Sequence, residues 1–513
     1  MKFVDSNTSF SYEQLSLVQL LILGSFLFLL NVTGGLIEHF CGGGLIVQIA
    51  LGLVYGPPLA NIIPESWLDS FLALGNLGLV LLIFQGSLNL NFLLCNHAHE
   101  SFNQGGLSTR FDLLRENIAL SIVVALVGIL TPIGLSLLSF IFVFDATPLQ
   151  GFTAGAALCS TSLGTTFAVL SSLHDHGPVD IRTTRIGTVL LAAAILDDVV
   201  GLIMASVVVE TAQQNVHVRG GHLAWTILRP LVASGAMVLI APIAVRWLML
   251  PAFRWCLALL GSRVSHYLPL LTVVTTLSAM VAISNYTGTS MLFGAYVAGC
   301  MVGYLDSSAL YDSESPHETA FATHIVPCNE RLFVPLFFAT IGSAIPFRQL
   351  WKGSILWKGV LYSFLMCLGK MATGLCILAW PSSKTLILSM PSQRSAAEEG
   401  GTQPVGILLE VEGHMPSLGI HRTLANPSPV KTVRLPWKKQ LPFYPAAFLS
   451  LAMVSRGEIS LLIAQLGRSV LGEEGFLVVM WAAVVCTFVG TLSTGQVVRR
   501  RLEKCLGQGW GST

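Results

Sequence analysis

The stretch "LLAAAILDDVVGLIMASVVV", Leu190–Val209, decides the fold. A bilayer takes about 20 apolar residues to cross as a helix, and this run is long enough, yet it carries Asp197 and Asp198 at its middle. A carboxylate there costs about 2.5–3.5 kcal/mol on insertion scales. The two acids therefore need partners on other helices or a water-filled cavity. Being consecutive on a helix, they diverge by about 100°. One can meet a partner on a neighbouring helix while the other faces a cavity.

The rest of the chain fits a membrane. It has 513 residues, of which 53% are hydrophobic and only 11% charged, with a mean hydropathy of +0.71. A soluble protein has about 25% charged residues. Apolar runs recur along the length, and none shows the short polar–apolar alternation of barrel strands. The expectation is an all-α polytopic membrane protein with about thirteen transmembrane helices. They lie at roughly 15–37, 43–60, 70–94, 117–144, 151–173, 186–209, 223–250, 267–284, 287–305, 330–347, 355–380, 446–467 and 475–498. The second is short and ends at "YGPP"; the eighth and ninth must form a tight hairpin. No cleavable signal peptide is expected, because the first apolar run is too long for one.

The chain thus divides into a transmembrane region at 1–380 with eleven spans, an insert at 381–441, two last spans at 442–498 and a tail at 499–513. Basic residues favour the cytoplasmic side, and "VVRRRLEK" places the C-terminal tail there. Arg348, Lys352 and Lys358 oppose that rule by falling in an expected outer loop. The insert is rich in Pro, Ser and Gly and reads as a mostly disordered cytoplasmic linker. Its end, "VKTVRLPWKK", has the composition of a segment that rests on anionic headgroups.

Few expected spans carry charge. The exceptions are Asp197 and Asp198, Lys370 in "MCLGKMATG", and Arg456 and Glu458 in "AMVSRGEISLLIA". Three acids against two bases nearly neutralise one another. Lys370 is the natural partner of one of the two Asp residues. The remaining carboxylate can hold a proton or a small cation but not both, which is what exchange requires. Arg456 and Glu458 suit a structural salt bridge as well as a transport role. A second signal is "GAALCSTSLGTTFAVL", where Ser160, Thr161, Ser162, Thr165 and Thr166 stand beside two glycines within one span. Unwound helices with free carbonyls and hydroxyls coordinate cations near the midplane of transporters, although small-residue helix packing has the same composition.

In this set the chain resembles the bacterial-type sodium/proton antiporters of the monovalent-cation/proton antiporter-2 family. The likeness is carried, in order, by "LGNLGLVLLIFQGSLNLNF", the "STS" span, "ILDDVVGL", "GAYVAGCMVG", "RLFVPLFFATIGSAI", "LGKMATG" and "SRGEISLLIA". The resemblance implies an inverted-repeat fold with two crossing discontinuous helices, here 151–173 and 446–467. It implies a mobile core, a dimerisation domain and a homodimer. Asp198 would be the principal ion- and proton-binding carboxylate and so the ligand of the transported alkali cation. Asp197 would pair with Lys370 as its charge compensator. Ser160, Thr161 and Ser162 would line the site, with Arg456 and Glu458 at the second crossing. The chain departs from the family at Asn89, where an acid is common, and in its long insert. No nucleotide-binding domain follows the last span, so gating by nucleotide or glutathione is not expected.

The expected activity is secondary exchange of a monovalent alkali cation, Na⁺ before K⁺ or Li⁺, for H⁺; the resemblance implies that two adjacent acids go with electrogenic exchange, and both are present here. The alternatives are a K⁺/H⁺ exchanger or an organic-anion carrier on the same fold. No enzyme is expected: an intramembrane aspartyl protease usually has Gly before one Asp, and no Asp here follows Gly. No filter-like loop or charge ring marks a channel. "GKM" at Gly369 lacks the Ser or Thr and the upstream Gly of a phosphate loop. A net charge of +1 with no basic face gives no reason to expect nucleic acid, and no cofactor motif is present. The ten cysteines have no paired spacing and read as small buried hydrophobes. The histidines of "HDHG", His266 and His324 read as solvated loop residues, and "NTS" at Asn7 has the glycosylation pattern. Plasma membrane and endomembrane both suit such a chain.

Overall fold

The computed structural model describes residues 14, 16–41, 44–88, 111–162, 184–213, 220–259, 267–307, 315–380 and 442–506. The insert, Asn7, Asn89, Thr165, Thr166, the "HDHG" run and His266 lie outside the described residues. Those described form helices and no strand. In chain order they are α1 (Leu17–Cys41), α2 (Gly44–Tyr55), α3 (Glu65–Leu88), α4 (Phe111–Phe142), α5 (Pro148–Ala157) and α6 (Arg185–Gln213). Next come α7 (Gly220–Ala244), α8 (Leu250–Leu259), α9 (Leu268–Thr287), α10 (Met291–Ser307), α11 (Pro316–His324) and α12 (Val334–Ser343). The last are α13 (Gly353–Met371), α14 (Thr373–Ala379), α15 (Phe443–Val454), α16 (Glu458–Leu466) and α17 (Arg468–Leu506).

Among the described residues nine stretches of helix are long and apolar enough to cross a membrane, and the pair α15 and α16, bent by 41° at its break, makes a tenth. Helices α2 and α10 are apolar but shorter. Helix α5 is the described half of the span expected at 151–173. The architecture is therefore all-α and membrane-spanning, and the sequence reading of about thirteen includes these shorter pieces. Leu17, Leu21, Phe28, Trp247, Leu248 and Trp255 are each more than three-fifths exposed. Such a surface suits lipid and not water.

Two groups of helices emerge from the packing. In one, α3 lies against α10 and α12, α2 against α1 and α12, and α9 against α10. Lipid tails are as apolar as the helices, so close packing rather than hydrophobic burial holds such a group together. Gly52 and Gly342 show how close: a Cβ on Gly52 would stand 1.9 Å from the Ala339 carbonyl oxygen, and one on Gly342 would stand 2.0 Å from that of Ile49. In the other group, α4 packs on α5, α6 and α13, α17 packs on α13 and α15, and α16 packs on α5 and α6. All the charged residues singled out by sequence belong to this second group.

Two details differ from the sequence reading and one agrees with it. The span expected at 330–347 begins near Pro316, because a π-helical turn at Asn329–Phe333 joins α11 to α12 without a stop. The wide turn leaves the Arg331 carbonyl free to accept from Asn31 Nδ2 at 2.8 Å. Lys358 is not in a loop: it lies in the second turn of α13 and donates to Glu474 Oε1 at 2.7 Å, which accounts for a basic residue there. The hairpin expected between the eighth and ninth spans is present, closed by Gly288 in the left-handed region at φ 82.

Candidate ion-binding site

Asp197 and Asp198 sit together near the middle of α6, both buried, Asp197 completely. The 100° step along the helix sends them to different neighbours. Asp197 turns toward α13, where Lys370 is equally enclosed. Lys370 Nζ is hydrogen-bonded to Asp197 Oδ2 in a short ion pair. Thr161 completes a triangle: its hydroxyl donates to Asp197 Oδ2 at 2.8 Å and accepts from Lys370 Nζ at 2.9 Å. A buried pair is tolerable only with such extra bonds, because desolvating two charges offsets their attraction.

The ammonium is held in place from α4. Thr131 Oγ1 donates to the Gly369 carbonyl at 2.7 Å, fixing the turn of α13 that carries Lys370. Gly128, one turn earlier on α4, leaves room for the head group: a Cβ there would stand 3.3 Å from Nζ. Thr373 Oγ1 donates to the Lys370 carbonyl at 2.7 Å where α13 gives way to α14.

Beside the triangle, two chain segments unwind and cross. Helix α5 ends at Ala157 and Ser160–Ser162 continue without helical structure; α15 ends at Val454 and α16 begins at Glu458. The Ser162 amide donates to the Ser455 carbonyl at 3.0 Å, and Thr161 Oγ1, whose one proton goes to Asp197, lies 3.3 Å from the Met453 carbonyl. Ser160 Oγ and Ser460 Oγ are 3.2 Å apart. Gly457 permits the approach, since a Cβ there would stand 2.7 Å from the Ser162 side chain. Non-helical backbone at membrane depth is tolerated where protein buries it or where it lines a cavity.

Broken helices expose their dipole ends. The C-terminal end of α5 carries partial negative charge, and Arg456 Nη1 donates to the Ser160 carbonyl there at 3.0 Å. The N-terminal end of α16 carries partial positive charge, and Glu458 stands in its first turn. Arg456 and Glu458 thus serve different helix ends. They do not pair with each other; Arg456 is fully enclosed, and its Nε and Nη2 have no hydrogen-bond partner among the described residues.

Asp198 has neither a salt bridge nor a hydrogen bond among the described residues, although it is only 8% exposed. Its electrostatic surroundings are the acids Glu458 and Asp197, relieved by Lys370, and Tyr296 of α10 lies within its field. A carboxylate placed this way is short of positive charge and can take a proton or a cation. Among the described residues no cluster of three His, Cys, Asp or Glu side chains could hold a resident metal ion.

The residues singled out by sequence therefore fall into three sets. Asp197, Thr161 and Lys370 are bonded to one another; Ser160, Ser162, Arg456 and Glu458 belong to the crossing; Asp198 stands next to both. Sequence reading missed Gly128, Thr131 and the Met453 carbonyl. The dipeptide Thr131–Pro132 inside an apolar run was a legible signal, but nothing local ties it to Lys370.

A family model described as the transmembrane sodium/hydrogen exchanger matches residues 104–500. The probable Na⁺/H⁺ antiporter GerT of Bacillus cereus is 26% identical over 333 residues, which cover 63% of this chain and 72% of that protein. The high-affinity Na⁺/H⁺ antiporter NhaS3 of Synechocystis is 23% identical over 300 residues, 58% of this chain and 55% of that protein. The Na⁺/H⁺-K⁺ antiporter GerN of Bacillus cereus is 26% identical over 315 residues, 59% and 67% of the two chains. The matched family model spans most of the chain and includes both crossing segments, the two Asp residues and Lys370. With nine long apolar helices among its described residues, this multi-pass integral membrane protein belongs to the transmembrane sodium/hydrogen exchanger family.

Proposed function

We propose that this protein exchanges a monovalent alkali cation, Na⁺ before K⁺ or Li⁺, for H⁺ at a single midplane carboxylate, Asp198. The observation that carries the reading is the contrast between neighbours: Asp197 is neutralised by Lys370, whereas Asp198 is buried without a partner among the described residues. In this reading the bonded Asp197–Lys370 pair is the resting form of the site. A cation arriving with most of its water removed binds Asp198, with the hydroxyls and carbonyls of the crossing as further oxygen ligands. A proton on Asp198 excludes the cation, and a cation excludes the proton. Each crossing of the membrane then carries one or the other.

The reading extends to alternating access, in which the helix group holding α4–α6 and α13–α17 moves against the remaining helices within a homodimer. The cytoplasmic placement of the C-terminus belongs to the same proposal. Two ionisable acids and one lysine favour electrogenic exchange: if the Asp197–Lys370 pair takes up a second proton beside the one on Asp198, two protons cross for each cation. K⁺ exchange is the second reading, supported by the name of GerN, a Na⁺/H⁺-K⁺ antiporter.

The test is reconstitution of the full chain into liposomes containing a pH-sensitive dye, with Na⁺, Li⁺ and K⁺ titrated at clamped voltage. Proton flux driven by Na⁺ and sensitive to voltage is the expected result. Flux with K⁺ alone would move the substrate to the second reading. No cation-driven flux with any of the three would overturn exchange.

A further inference from the structure

Away from the ion site, Cys367 of α13 and Cys486 of α17 bring two free thiols together, with sulfurs 3.6 Å apart. A disulfide needs about 2.05 Å, so small movements of both side chains would close the gap. Their exposures differ: Cys486 is fully buried, Cys367 only partly. Arg456 is near enough to act electrostatically on both sulfurs, and two of its donor nitrogens have no acceptor among the described residues.

We propose that Cys367 and Cys486 form a redox modification site, closed to a disulfide by a small membrane-permeant peroxide. The partly exposed Cys367 sulfur, as its thiolate, attacks one peroxide oxygen, the O–O bond breaks, and water leaves after protonation, giving the sulfenic acid. The Cys486 sulfur then displaces the sulfenic oxygen as a second water. Two thiols and one hydrogen peroxide become one disulfide and two waters, the sulfurs losing two electrons that the peroxide gains.

The position of the pair gives the bond a consequence. Cys367 lies one turn before Lys370 on α13. Cys486 is followed by Thr487, whose hydroxyl donates to the Arg456 carbonyl at 2.8 Å. The disulfide therefore ties the helix presenting Lys370 to the helix bracing the second crossing. Closing the gap moves the turn of α13 that carries Cys367, three residues before Lys370, relative to α17. The bond itself stands on the thiol geometry; only its effect on transport rests on the exchange reading.

The experiment uses the full chain in liposomes, treated with hydrogen peroxide, then mapped by mass spectrometry of unreduced peptides and assayed for Na⁺-driven proton flux. The expected result is a Cys367–Cys486 cross-linked peptide with flux reduced about tenfold or more, as misplacement of a reacting group by about 1 Å allows. Dithiothreitol should reverse both. The variants C367S and C486S should form no such peptide and keep their flux under peroxide. Peroxide-treated protein with both thiols free, or with Cys367 bonded elsewhere, would overturn the site, and full cross-linking with unchanged flux would overturn its effect on transport. Should untreated protein show no flux with any alkali cation, exchange would fall while the peptide map still decided the thiol site. If a serine variant does not fold, the map of the unsubstituted protein decides it alone.

Discussion

Lys370 is bonded to Asp197, and Asp198, the next residue along α6, has no such bond among the described residues. One peptide unit separates a neutralised acid from one short of positive charge. The helix itself produces the difference, because a 100° step turns the first carboxylate to α13 and the second toward the start of α16. Thr161 adds to the inequality by donating to Asp197. Identical side chains at adjacent positions are thereby given different chemistry.

Asp198→Asn should abolish Na⁺-driven proton flux while leaving the folded protein intact. The substitution removes the carboxylate of the pair that has no positive partner among the described residues, and it breaks no hydrogen bond seen among them. Dye-loaded vesicles measure the flux, and size-exclusion chromatography checks the fold. Flux at the unsubstituted rate would take Asp198 out of the mechanism.

Lys370→Ala should act first on stability. It leaves Asp197 buried, with Oδ1 lacking a partner and Oδ2 bonded to Thr161 alone among the described residues. Removing one member of a buried ion pair costs about 3–5 kcal/mol. Adding Asp197→Asn should recover a large part of that loss, because the stranded charge goes too. Lys358→Ala breaks a pair whose acid, Glu474, is 55% exposed, and about 0–1 kcal/mol is expected there. Thermal unfolding in detergent, followed by tryptophan fluorescence, compares all three. Equal losses for Lys370→Ala and Lys358→Ala would contradict the account of the buried triangle.

How much of this was legible beforehand follows from what each signal depends on. The spans were legible because membrane hydropathy is a property of the local sequence. The five charges were legible because charge inside an apolar run is rare. What sequence could not give was the partner of each charge. Arg456 and Glu458 stand two apart and invite pairing, yet the extended Gly457 between them sends each to its own helix end. Gly128 and Thr131 act on Lys370 across more than 230 residues of chain, with no local mark of it. The π-helical turn at Asn329–Phe333 was hidden for another reason: it alters hydrogen-bond spacing without altering hydropathy.

The apparent KM for Na⁺ should rise as pH falls. A proton and a cation compete for the Asp198 oxygens, so only the ionised fraction binds Na⁺. Once pH lies below the pKa of the free site, that fraction falls about tenfold per pH unit, and KM rises by the same factor. Flux at saturating Na⁺ should change much less, since enough cation displaces the proton. Initial rates in vesicles at fixed pH difference measure both quantities. A KM that stays flat across the acid range would contradict a shared site.

Gly457→Ala tests the crossing itself. The backbone there is extended, at φ −127 and ψ −158, a conformation that alanine adopts without strain. The difficulty is space: the new methyl would stand 2.7 Å from both Cβ and Oγ of Ser162. Ser162 is not free to retreat, because its amide is bonded to the Ser455 carbonyl on the opposite segment. Forcing a methyl into such a contact costs about 1–3 kcal/mol. The shift should also loosen Thr161, the next residue, from Asp197 and so reduce Na⁺-driven flux. Gly86→Ala on α3 is the control, since a Cβ there meets nothing within 4 Å. Matched unfolding temperatures and matched fluxes for the two variants would show that the crossing does not depend on this close approach.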